Sequence, residues 1–158
     1  MKFYTSYYAN FRHIPKDFMC IGISRYFQDY FKRTDIPNFL YTPNNVLAPS
    51  EKLLLAMKKG LITEEQYEYY YVQGLQEGLA RMGYQSETMY YEALQREFDN
   101  MPGVSAVVFL CYEKPGDFCH RNILSKRMRE LGYDCRELTS EDIRPSKFGG
   151  NPVQSELF

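Results

Sequence analysis

The chain has 158 residues, 44% of them apolar and 25% charged, the size and composition of one ordinary globular domain. That excludes collagen-like, low-complexity and wholly disordered chains, and a net charge of −1 excludes a nucleic-acid protein held by overall positive charge. The four cysteines, Cys20, Cys111, Cys119 and Cys135, form neither a CxxC pair nor a zinc-ribbon spacing. With no signal-peptide core in MKFYTSYYANF and no 18-residue apolar run, a cytoplasmic protein with reduced thiols and no membrane contact is expected.

Phe3 to Ala9 alternates aromatic and small polar residues and predicts a strand, and the continuous apolar run 18–23 predicts a strand buried on both faces. Ser24 then caps a short predicted helix reaching about Arg33. Three prolines and three asparagines over 34–49 mark a long irregular loop, followed by a helix from Ser50 to Lys59. Thr63 and Gln66 have capping-box spacing, and Tyr67, Tyr71, Leu75 and Leu79 draw one apolar stripe along the next helix. Ser86 opens another helix to about Asp99, and 61–100 carries a net charge of −6, the pattern of a solvated face.

VSAVVFLCY at 104–112 is the strongest strand signal. A helix from about Cys119 to Leu131, stopped by Gly132, and a short strand YDCREL complete a βαβ unit, which implies a parallel strand pair. The expected fold is α/β: a single Rossmann-like domain over 1–144, with a mainly parallel sheet and a helix-rich insert at about 50–100. Residues 145–158, with two prolines and two glycines, are expected to form a flexible C-terminal tail.

The segment Glu113-Lys-Pro-Gly-Asp-Phe-Cys-His-Arg121 lies where open α/β sheets bind ligands, beyond a strand and before a helix N-terminus. Free N–H groups at the helix start offer an anion site. Cys119 beside Arg121 is expected to have thiolate character, Glu113 to act as general base or ribose ligand, and His120 to shuttle a proton. The same residues also fit plain structure: His120, Leu124, Met128 and Leu131 keep helical spacing, and Lys114 to Asp117 suits a surface turn. Cys111, Cys119 and His120 are zinc-ligand types, but adjacent side chains diverge on a helix, so neither a metal nor another cofactor is expected.

Tyr4-Thr-Ser-Tyr7, the IGIS run ending at Ser24, and CYEKPGDFCHR together resemble the bacterial and phage family known as domain of unknown function 488, over most of residues 3–138. The resemblance implies a small Rossmann-like domain in which Glu113, Cys119, His120 and Arg121 match the family's signature. The ligand-binding candidates beside them are Tyr4, Ser6, Tyr7, Ser24, Lys114, Gly116 and Asp117. A tyrosine beside an anion-binding helix end suits stacking on a nucleobase, and core packing suits Tyr4 and Tyr7 equally.

Gln154-Ser-Glu-Leu-Phe158 resembles the peptide with which bacterial DNA-associated enzymes dock on the replication sliding clamp; Gln154, Leu157 and Phe158 are its candidate anchors, and Ser155 departs from the usual Leu. Net charges of +4 over 1–33 and +2 over 113–136 could steer a phosphate ligand. The expected function is an enzyme processing a nucleotide or nucleic-acid base, a possible hydrolase or transferase. A non-catalytic nucleotide-binding sensor or adaptor and a thiol-redox protein are the alternatives.

Overall fold

The two least polar runs of the sequence form the middle of a sheet. The structure, a computed structural model, describes residues 1–27 and 32–142. Strands β1 (Lys2–Tyr7), β2 (Phe18–Gly22), β3 (Phe39–Leu40), β4 (Ala106–Cys111) and β5 (Cys135–Glu137) are all parallel, in the order β3-β2-β4-β1-β5. Every residue of β2 and β4 is buried, as strands paired on both sides and covered on both faces require. This is the α/β, Rossmann-like architecture that the sequence predicts.

Alternation along the strands divides the core in two. Phe3, Ile21, Val107, Phe109 and Cys111 face the helices and pack on Leu75, Leu79, Tyr91, Phe98, Leu124 and Met128. Tyr4, Phe18, Cys20, Val108 and Leu110 face the other way, onto Tyr8, Ile14, Ile36 and Leu138. The described residues form four α-helices, α1 (Glu51–Lys58), α2 (Glu64–Arg81), α3 (Glu87–Asp99) and α4 (His120–Glu130). The Ser50, Thr63 and Ser86 side chains each accept from the backbone N–H three residues on, so the predicted starts of α1 to α3 are the observed ones. The stripe Tyr67, Tyr71, Leu75 and Leu79 is buried along α2.

Three expectations change. Ser24 caps no helix over 24–27: its hydroxyl donates to the Tyr26 carbonyl and shares a hydrogen bond with the Tyr8 hydroxyl, which leaves it no helix to start. Part of that predicted segment, 28–31, lies outside the described residues. The loop 34–49 is not wholly irregular, since it contributes the edge strand β3. The β4–α4–β5 unit is parallel, but β1 lies between its two strands, so the crossover spans a neighbour instead of joining a pair. Residues Gln154, Leu157 and Phe158, with the rest of the predicted tail, lie outside the described residues. Among the described residues, no helix is long and apolar enough to cross a membrane.

The strand order also locates a crevice. From β2 the chain leads outward to β3, and from its neighbour β4 it leads towards the opposite edge, to β5. The two connections diverge beyond the carboxyl ends of β2 and β4, and a gap opens there of the kind in which α/β sheets bind ligands.

Candidate functional site

The gap beyond β2 and β4 is a cleft of about 330 Å³. Ser24, Arg25 and Tyr26 line it from the β2 side, Tyr112, Glu113, Phe118, Cys119 and His120 from the β4–α4 side. Met57 and Lys58 at the end of α1, with Tyr67 of α2, close it. Tyr67 is held by an edge-on contact with Phe118, ring centroids 5.0 Å apart. A larger depression of about 530 Å³ lies alongside, between the 44–50 segment and α2, and shares Arg25 with the cleft, but neither Cys119 nor His120 reaches it.

His120 spans the crevice. Its Nε2–H donates to the Ile23 carbonyl at 2.7 Å, just past β2. That bond leaves Nδ1 as the acceptor, facing Cys119 Sγ at 3.8 Å. Burial pushes the imidazole down to about 4, outweighing the Ile23 hydrogen bond, so the ring is neutral at neutral pH. Adjacent Cys119 and His120 do not diverge as a continuous helix would have them. Cys119 is the N-cap of α4, with extended φ −153° and ψ 143°, and its sulfur accepts from Arg121 N–H at 3.4 Å. This turns the thiol back towards His120 and towards Cys111, the last residue of β4; the two sulfurs and an imidazole nitrogen lie within 4.8 Å of one another.

The expected thiolate character of Cys119 is reversed. Hydrogen bonding with Cys111 and burial push its thiol up, and they outweigh the N–H of the helix start. Arg121 is not available to a ligand either. It is 0% exposed, and its Nε and Nη2 donate to the two Glu137 carboxylate oxygens, each at 3.1 Å. Its Nη1 donates to Cys111 Sγ at 3.0 Å and to the Glu113 carbonyl. Arg121 therefore ties the end of β4 to β5. The anion site expected at the start of α4 is partly spent as well: Arg121 N–H goes to Cys119 Sγ and Asn122 N–H to the Cys119 carbonyl.

The cleft thus brings together Ser24, Glu113, Cys119 and His120 of the predicted residues. Lys114, Gly116 and Asp117 sit outside it on an exposed turn, closed by Asp117 N–H to the Lys114 carbonyl, in which Gly116 takes φ +94° after Pro115. Tyr4 lies on the opposite face of the sheet, stacked on Phe18 at 5.5 Å, and Ser6 is buried and accepts from Asn10. Tyr7 ends β1 beside Cys111, outside the cleft lining. Sequence reasoning missed Arg25, Tyr26, Lys58, Tyr67, Tyr112 and Phe118, which come from four separate segments. Cys111, weighed from the sequence only as a zinc-ligand type and set aside, lies at the carboxyl end of the strongest strand beside Cys119 and His120.

Comparison with protein-family models, with curated proteins and with solved structures finds no match to this chain.

Proposed function

We propose that the protein is an enzyme that processes a nucleotide or a nucleic-acid base in the crevice between β2 and β4. The observation that carries this reading is the chemistry of one small space: the rings of Tyr26, Tyr67, Tyr112 and Phe118, the cations Arg25 and Lys58, and the carboxylate of Glu113. Aromatic faces stack bases, at about 1–3 kcal/mol for each base. Guanidinium and ammonium groups take phosphate oxygens. A carboxylate beside them takes a ribose hydroxyl or the proton of an attacking water. At about 330 Å³ the cleft is near the lower end of small-molecule sites and suits one base or one nucleotide. A base within a polymer would have to leave its stack to enter.

In this reading Glu113 is the general base for hydrolysis or transfer at a glycosidic or phosphoryl position. In the cation-free protein Cys111 and burial hold the Cys119 thiol protonated, so this reading gives it no part as nucleophile or redox centre. The test is a thermal-shift screen against nucleobases, nucleosides and nucleotides, followed by turnover assays on the compounds that bind. Glu113→Gln is expected to lower turnover by about 100-fold or more while affinity stays within about tenfold. Binding that is lost in Glu113→Gln, with no turnover in the wild type, would identify a sensor instead. No shift from any compound would remove the nucleotide reading.

A further inference from the structure

We propose that Cys111, Cys119 and His120 form a three-ligand site for a zinc-class divalent cation. All three are buried, and their ligand atoms lie within 4.8 Å of one another. Around a tetrahedral zinc, with bonds of about 2.3 Å to sulfur and about 2.0 Å to nitrogen, ligand atoms are separated by about 3.5–3.8 Å. Cys119 Sγ and His120 Nδ1 are already 3.8 Å apart. The widest separation in the cluster has to close by only about 1 Å.

The donor set and its surroundings point the same way. Two sulfurs and an imidazole select zinc, or cobalt as its spectroscopic substitute, over the oxygen-seeking magnesium and calcium. The Nε2–H of His120 donates to the Ile23 carbonyl, which fixes the tautomer that offers Nδ1, as the outer hydrogen bond of a metal-bound histidine does. Arg121 Nη1 donates to Cys111 Sγ at 3.0 Å, a bond that persists onto a metal-bound sulfur. Charge balances too: a divalent cation faces two thiolates, while the Arg121 guanidinium is matched by Glu137.

Three protein ligands leave one tetrahedral position, and Cys119 and His120 both line the cleft. That is the pattern of a site that takes water or a ligand, as opposed to a closed structural site with four protein ligands. The proposal does not rest on the nucleotide reading, because metal binding is measured without any substrate.

The test uses the full chain, purified under reducing conditions without chelator. About one zinc per chain is expected by elemental analysis. After the zinc is stripped and replaced by Co²⁺, sulfur-to-cobalt charge-transfer absorption and the intense visible bands of tetrahedral cobalt should saturate at about one equivalent. Cys111→Ser and Cys119→Ser should each weaken binding by more than about 100-fold, while Cys20→Ser and Cys135→Ser bind like the wild type. His120→Cys should keep the metal and strengthen the charge-transfer band, an outcome that a packing role for His120 would not give. Reduced wild-type protein that shows no tetrahedral cobalt spectrum, or a spectrum unchanged in Cys111→Ser and Cys119→Ser, overturns the proposal. A metal-loaded protein that binds no nucleoside leaves this site standing and removes the reading of the cleft; nucleotide binding by a protein that holds no metal does the reverse.

Discussion

At the scale of single residues, Arg121 shows how a charged group in a ligand-binding position can belong wholly to the scaffold. A guanidinium has five donors in a fixed fork, and this one is buried against a bidentate Glu137, the Cys111 sulfur and a backbone carbonyl. Glu137 is tied in turn by the Thr5 hydroxyl at 2.7 Å. Replacing the arginine strips a half-buried Glu137 carboxylate, 29% exposed, of the guanidinium that holds both its oxygens, the costly way to break such a pair. Arg121→Met is therefore expected to lower stability by about 3–5 kcal/mol in urea unfolding, a cost that Glu137→Gln made together with it should partly relieve. A loss below about 1 kcal/mol would show that Arg121 is free for ligand after all. The sequence placed Arg121 correctly at a helix start but could not show Glu137, sixteen positions on, beneath it. The same blindness to burial reversed Cys119: a helix N-terminus lowers a thiol, and the hydrogen bond with Cys111 and the dry surroundings raise it further than that.

At the scale of elements, what was legible is what is periodic or capped. The stripe of α2, the Ser and Thr caps of α1 to α3, and the unbroken apolar runs of β2 and β4 depend on neighbours within a few positions, so the sequence shows them directly. Over the described residues 24–27 no helix follows Ser24, whose hydroxyl is engaged with Tyr8, a partner from another element. Illegible for the same reason is the tie among three helices at Glu87, the first residue of α3. Its carboxylate accepts from Gln76 of α2 at 3.1 Å, from Arg127 of α4 and from the Tyr91 hydroxyl, while only 6% exposed. Burial alone would raise this carboxyl, but the hydrogen bonds from Arg127 and Gln76 outweigh it and hold Glu87 below its ordinary value of 4.5. A carboxyl lowered by folding adds stability that is fully present above that value and is lost as pH falls through the lower folded one. Stability should therefore decline as pH drops below about 4.5, and Glu87→Gln should flatten that part of the profile while costing stability at neutral pH. Denaturant midpoints measured between pH 3 and pH 7 decide it: equal slopes in the two proteins would mean that Glu87 is not held by Arg127 and Gln76.

At the scale of the whole molecule, the crevice is a consequence of strand order, and strand order is the part of the fold least visible in sequence. The alternation of apolar runs and helices announces a parallel sheet, but nothing local says that β1 lies between β4 and β5, or that β2 and β4 are neighbours whose connections part. The lining of the cleft is legible in part: Ser24, Glu113, Cys119 and His120 were expected from the sequence, whereas Arg25, Tyr26, Lys58, Tyr67, Tyr112 and Phe118 were not. Because the two sides of the cleft come from segments far apart in the chain, a ligand seated there should brace the fold as a unit. It should raise the free energy of global unfolding by about 2.7 kcal/mol at a hundredfold excess over its dissociation constant. Arg25 and Lys58 come from different segments and both line the same space. A nucleoside 5′-phosphate should therefore shift the melting temperature more than its nucleoside at equal concentration, and Arg25→Ala with Lys58→Ala should erase the difference while sparing the nucleoside's own shift. Salt should shrink the gap between the two ligands and leave the stacking contribution in place, since screening acts on the phosphate and not on the rings. Equal shifts by nucleoside and nucleotide in the wild type would leave the two cations without the anion assigned to them, and the cleft would then be a site for an uncharged aromatic ligand.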